Sequence, residues 1–202
     1  MKVGILGAGR IAEKMAMTLN QMQTASAYAI ASRDLQRAAQ FAEKWNMEKA
    51  YGSYEEMLDD PQVELVYIAT PHSHHYEHAR MCLLKGKTVL CEKTFTANAA
   101  QAKALIELAR AKNVFLAEAI WTRYLPFSQT ITDLINNGVI GTPHMLTANL
   151  GYPVVYKERI TRLDLCGGSL LDLGIYPINF ARMIFGTDIA KVTSTCLKGE
   201  TG

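Results

Sequence analysis

Three groups of residues in this sequence have the types and spacing to do chemistry: Lys93, the pair Asp172 and Tyr176, and the glycine turn Gly7-Ala8-Gly9. Lys93 closes the apolar run Val89-Leu90-Cys91-Glu92-Lys93. A strand that stops on Glu92-Lys93 carries two charges to the rim of a sheet, where open α/β folds bind ligands; a strand end that meets only water would read the same way. Asp172 and Tyr176 follow Gly167-Gly168-Ser169 and are four positions apart, so on a helix they share a face. A carboxylate beside a phenol suits hydride transfer at an alcohol carbon, with the phenol exchanging the hydroxyl proton and the carboxylate orienting the substrate. A nearby ammonium such as Lys93 favours a phenolate. The plain alternatives are Ser169 as a helix cap, Asp172 as a first-turn acid, Tyr176 as a core aromatic and Pro177 as a bend.

The segment Gly7-Ala8-Gly9-Arg10-Ile11-Ala12 matches G-x-G-x-x-G/A between a strand and a helix. In that motif Gly7 makes the tight turn, Gly9 lets backbone approach a pyrophosphate, and Ala12 allows close packing of helix on strand. The N–H groups of Arg10, Ile11 and Ala12 then face the anion. The end of the next strand reads Ala31-Ser32-Arg33-Asp34, with Arg37 a turn later. An NAD site presents an acid there; Ser32 and the Arg33 fork suit a 2′-phosphate, so NADP is the expected cofactor, with NAD left open by Asp34. Asp34 is either a ribose ligand or a helix N-cap.

His72, His74, His75 and His78 follow the turn Thr70-Pro71. His74 and His78 have the spacing of a helical zinc pair, but no H-E-x-x-H pattern or spaced third ligand accompanies them, and no metal is expected. The position favours a place beside the cofactor crevice. Trp121 and Arg123, in Trp121-Thr122-Arg123-Tyr124, are read either as packing or as a wall of the nicotinamide site.

These residues need a scaffold. Short β-rich runs at residues 2–6, 27–31, 65–69, 88–91 and 114–117 alternate with helical periodicity at 10–21, 34–45, 75–85 and 98–111, which predicts βαβ units and a doubly wound parallel sheet. Ser53-Tyr54-Glu55-Glu56 fits a capping box, and Gly86 ends a helix. Residues 1–120 form the expected nucleotide domain, with the boundary near 121–126. Residues 121–202 then supply a helix at 127–137, strands at 143–150 and 190–197, a helix at 169–185, and a basic excursion at 151–166. Two strands leave edges and an apolar face uncovered, so this second domain is expected to be incomplete.

The chain has 202 residues and a formal net charge of +2, which gives no footprint for nucleic acid or an anionic membrane. No apolar run reaches membrane-spanning length and the start does not resemble a secretory signal, so the cytoplasm is the expected location. Cys82, Cys91, Cys166 and Cys196 show no paired spacing and read as ordinary thiols.

Taken together, the Gly7 to Ala12 turn, Ala69-Thr70-Pro71 with His75, Val89 to Lys93 and Gly167 to Tyr176 resemble the glucose–fructose oxidoreductase/inositol dehydrogenase/MocA family. Within it the chain is similar to the NADP-dependent trans-dihydrodiol and D-xylose dehydrogenase branch, through Ala31 to Leu35, Cys91-Glu92-Lys93, Glu118 to Arg123 and Asp172 to Tyr176. The resemblance implies a Rossmann domain followed by the start of an α+β open-sheet substrate domain. It implies Lys93 beside the nicotinamide, Tyr176 as acid/base, Asp172 holding substrate, and Ser32, Arg33 and Arg37 around the 2′-phosphate. It also implies a small sugar, diol or polyol substrate, and a homodimer made through a sheet that continues beyond these residues. Thr94 stands where the family usually has Pro, so that loop is expected to be less rigid. The competing reading is a nucleotide-binding regulatory or structural protein without turnover.

Overall fold

Short runs of Val, Ile, Leu and Ala pair into a six-stranded sheet of β1 (Lys2–Leu6), β2 (Ser26–Ala31), β3 (Lys49–Tyr51), β4 (Leu65–Ile68), β5 (Thr88–Glu92) and β6 (Leu116–Ala119). This is a computed structural model, which describes residues 1–199. Every pairing is parallel and the strand order is β3-β2-β1-β4-β5-β6. The sheet is the doubly wound arrangement expected from the alternation of strands and helices. β3 was not expected, because a three-residue edge strand is too short to show a pattern.

Period-two alternation sends side chains to two cores. Leu6, Val66, Ile68, Val89 and Cys91 pack on one face with Met57 and Leu58 of α3 (Tyr54–Asp59), Ala79, Cys82 and Leu83 of α4 (His75–Leu84), and Leu105 and Ala109 of α5 (Ala99–Lys112). Val3, Ile5, Ile30 and Tyr67 pack on the other with Ala12, Ala16 and Leu19 of α1 (Arg10–Leu19) and Ala38, Phe41 and Ala42 of α2 (Leu35–Trp45). Both faces of the sheet are thereby covered, as a parallel sheet requires.

Helix ends carry their chemistry in the side chains. Ser53 Oγ accepts from the Glu56 amide at the start of α3, and Asn98 Oδ1 accepts from the Gln101 amide at the start of α5. Asn46 and Asn113 end α2 and α5 in the left-handed conformation.

The sheet belongs to the first of two units, Met1–Ala119; the second is Ile120–Gly202. Within the second unit α6 (Pro126–Asn136) starts on a proline, α7 (Glu158–Thr161) is a single turn, and α8 (Ile175–Phe185) follows a π-helical turn at Leu170–Gly174. Pro177, in the first turn of α8, has no N–H to return to residue 173, and the chain winds wider just ahead of it. The expected strands at 143–150 and 190–197 do not form. A strand exists only through a partner backbone, and among the described residues neither segment has one. Met145, Val192 and Leu197 are accordingly exposed.

Candidate active site

The strand order reverses between β1 and β4, and the chain leaves β1, β4 and β5 at the same edge of the sheet. Gly7 follows β1 with φ +101°, a conformation that side chains resist, and a Cβ there would lie 2.9 Å from the Thr70 methyl. Gly9 differs: its backbone is extended, and the nearest atom to an added Cβ is the Ala69 carbonyl oxygen at 3.9 Å. The fold itself therefore leaves this space open above the start of α1. No side chain caps that start, and the first intrahelical bond belongs to the Glu13 amide, which donates to Gly9. The amides of Arg10, Ile11 and Ala12 precede that first bond, as at any helix start, and such a start can cradle an anion; Ala12 is fully buried against the sheet. A dinucleotide pyrophosphate fits this cradle.

At the end of β2, Ser32 is buried, with its hydroxyl 3.4 Å from the Asp34 amide, while Arg33 and Arg37 are exposed. Asp34 is the N-cap of α2, accepting from the amides of Gln36 (2.9 Å) and Arg37 (3.2 Å). The N-cap is thus one of the two roles the sequence offered for Asp34. Arg37 donates to the Ala8 carbonyl at 2.7 Å and so braces the glycine turn.

After β4, Thr70 and Pro71 lie at the sheet edge and Thr70 Oγ1 meets His78 Nδ1 at 2.9 Å. Burial, then the neighbouring charges of His74, His75 and Arg33, pull the His78 pKa down to about 4. His75 departs from the expectation of a cofactor contact, because its side chain is fully buried. Its Nδ1 lies 2.6 Å from the Thr94 carbonyl oxygen and its Nε2 2.8 Å from that of Thr70. A carbonyl only accepts, so these contacts favour a protonated ring; burial opposes them more strongly and lowers the pKa. The ring thus ties the turn after β4 to the loop after β5. Among the described residues no group of three His, Cys, Asp or Glu side chains could hold a metal.

At the end of β5, Glu92 accepts from the Tyr67 hydroxyl and, at 3.1 Å, from the Lys93 amide. Burial raises its pKa, opposed by those two hydrogen bonds and the Lys93 charge. Glu118, on β6, accepts from the Phe95 amide at 2.9 Å; burial raises its pKa, opposed by that hydrogen bond and by Lys93. Sequence reasoning did not single out Glu118, although a carboxylate inside the short apolar strand Leu116–Ala119 was a visible signal. Cys91 is buried and its thiol pKa is well above the usual range, so it is no nucleophile.

In the second unit, Trp121 Nε1 donates to the Tyr176 hydroxyl at 3.1 Å and the two rings meet edge-on. Arg123 donates to Asn179 at 3.2 Å. Asp172 is buried, and both oxygens accept from the fork of Arg159, at 2.8 and 3.4 Å. Arg159 was missed, since the basic excursion showed no period to mark one arginine among its charges. The π turn also alters the shared-face argument for Asp172 and Tyr176, because helical spacing does not hold through residues 170–174.

Residues 1–119 match the family described as "Oxidoreductase family, NAD-binding Rossmann fold", and residues 128–201 match the "GFO/IDH/MocA C-terminal domain". The chain belongs to the Gfo/Idh/MocA oxidoreductase family. Similar proteins include trans-1,2-dihydrobenzene-1,2-diol dehydrogenases of Mus musculus, 43% identical over 205 residues, and Xenopus laevis, 39% identical over 204. Each alignment covers 100% of this chain and 62% of the relative, so the chain spans under two thirds of those proteins. Among solved structures the chain is similar to a 3-ketoreductase from Actinomadura kijaniata in complex with NADP and TDP-benzene, with TM-score 0.77 and 29% identity over 92% of this chain and 57% of that one. A probable dehydrogenase from Thermotoga maritima has TM-score 0.80 and 28% identity over 94% of this chain and 56% of that one. No helix among the described residues is long and apolar enough to cross a membrane.

Proposed function

We propose that the full-length protein is an NADP-dependent dehydrogenase acting on a secondary alcohol or carbonyl of a cyclic diol, sugar or similar polyol. The observation that carries this reading is the edge of the sheet at the reversal of strand order, where Gly7, Thr70 and Lys93 leave three successive neighbouring strands. A ligand lying in that crevice meets the glycine cradle and a lysine together. When bound, the nicotinamide would accept or return a hydride.

The chain's own residues divide the remaining work. The amides at the start of α1 hold the pyrophosphate, and Arg37 fixes the turn that presents them. Arg33, exposed at the end of β2, is assigned to the 2′-phosphate, beside Ser32. Lys93 orients the reacting oxygen and stabilises negative charge there. Tyr176 exchanges the hydroxyl proton, and the Trp121 indole directs its oxygen. Asp172 helps hold the substrate, its carboxylate set by Arg159. The names of the dihydrodiol dehydrogenases and of the ketoreductase support this chemistry for the family.

The test follows reduced-nicotinamide absorbance with the full-length protein and a panel of trans-dihydrodiols and sugars. Turnover that falls about a hundredfold or more in Tyr176→Phe and Lys93→Ala is expected. Tight NADP binding with no turnover on any substrate would instead identify a non-catalytic nucleotide-binding protein. Arg33→Ala is expected to weaken NADP about tenfold or more and NAD far less; equal losses would remove the NADP assignment.

A further inference from the structure

Lys93 stands on a segment held at three consecutive residues. The Lys93 amide donates to Glu92, the Thr94 carbonyl meets the buried ring of His75, and the Phe95 amide donates to Glu118 at 2.9 Å. The first anchor is local and the second reaches up from α4. The third crosses from the neighbouring strand β6, which pairs with β5 so that Glu118 stands opposite Cys91. Paired residues point to the same face of a sheet, and Cys91 and Leu116 pack in the core on that face. Glu118 therefore places a carboxylate where an apolar side chain would pack without desolvation cost.

We infer that Glu118 is a positioning residue for Lys93, fixing the loop that follows β5 by accepting the Phe95 amide. The inference rests on the dehydrogenase reading above, in which Lys93 meets the reacting oxygen. A lysine has a long, flexible side chain, so its useful placement depends on where its backbone is pinned, and a displacement of about 1 Å at a reacting group costs on the order of a hundredfold in rate. Burial raises the Glu118 pKa, and the Phe95 hydrogen bond and the Lys93 charge both oppose that rise.

The test compares Glu118→Ala with Glu118→Gln in the full-length protein. Glutamine keeps an oxygen that can accept from the Phe95 amide, and alanine does not. Glu118→Ala is expected to lower kcat about tenfold or more, with KM for NADP changed by less than about threefold. Glu118→Gln should recover most of that loss. Hydrogen exchange at the Phe95 amide should be slow in the parent and in Glu118→Gln and fast in Glu118→Ala. Unchanged kcat in Glu118→Ala, or equal losses in both variants, would overturn the inference. Should Glu118→Ala not fold, rapid Phe95 exchange in the parent or in Glu118→Gln would overturn it just as well. Lys93→Ala keeps the two readings apart. If that variant turns over normally, the dehydrogenase reading of Lys93 falls; if it is inactive while Glu118→Ala is fully active, only the role of Glu118 falls.

Discussion

Gly7 and Gly9 occupy one motif for different reasons, and single substitutions separate them. At Gly7 the demand is internal: φ is +101° and an added Cβ meets the Thr70 methyl at 2.9 Å. Gly7→Ala should therefore destabilise the protein by about 1–3 kcal/mol, read as a lower denaturant midpoint. At Gly9 the backbone suits any residue and the nearest atom is 3.9 Å away, so Gly9→Ala should cost no more than about 1 kcal/mol. It should nevertheless weaken NADP about tenfold or more, because the methyl group fills space the pyrophosphate would need. A fluorescence titration of reduced cofactor checks the second half. Equal stability losses with unchanged affinity at Gly9 would show that the open space is not a binding cradle.

At the start of helix α2 one carboxylate has a structural role that can be separated from any cofactor role by substitution. Asp34 accepts from two amides at its start, so Asp34→Ala should lower stability by about 1 kcal/mol and Asp34→Ser should restore most of it. Neither should change the ratio of NADP to NAD affinity, and a changed ratio would return Asp34 to the ribose. Legibility followed the same division between local and distant causes. Five strands of the first unit could be read because each lies in a mostly apolar run with a covering helix nearby in sequence, whereas the three-residue β3 shows no pattern, and the glycine turn could be read because its geometry is local. His75 and Glu118 could not be placed: their partners lie 19 and 23 residues away, and burial of a polar group is not encoded in its type. Arg159 reaches Asp172 from 13 residues away, out of a segment without period. The strands expected at 143–150 and 190–197 failed for a related reason, since alternation proposes a strand but only a neighbouring strand makes one.

At the scale of the whole molecule, acid stability sums opposing groups, and the sign must be taken group by group. His75 and His78 have lowered pKa values, chiefly through burial. The unfolded chain takes their protons first, so their contribution is fully present above pH 6.5 and is lost as pH falls, for His78 down to about 4. Glu92 and Glu118 have raised values, again chiefly through burial. Those carboxylates hold protons more tightly when folded, so they destabilise at neutral pH and return that stability on acidification. The total slope mixes both signs, and a difference between variants isolates one. His78→Asn removes a titrating ring beside Thr70 while keeping hydrogen-bonding capacity. The parent-minus-variant difference in unfolding free energy, measured by urea titration, should shrink by about 1–3 kcal/mol between pH 7 and pH 5. A constant difference would show that His78 titrates alike in the folded and unfolded chain, and one that grows on acidification would show a raised pKa; either overturns the lowered value.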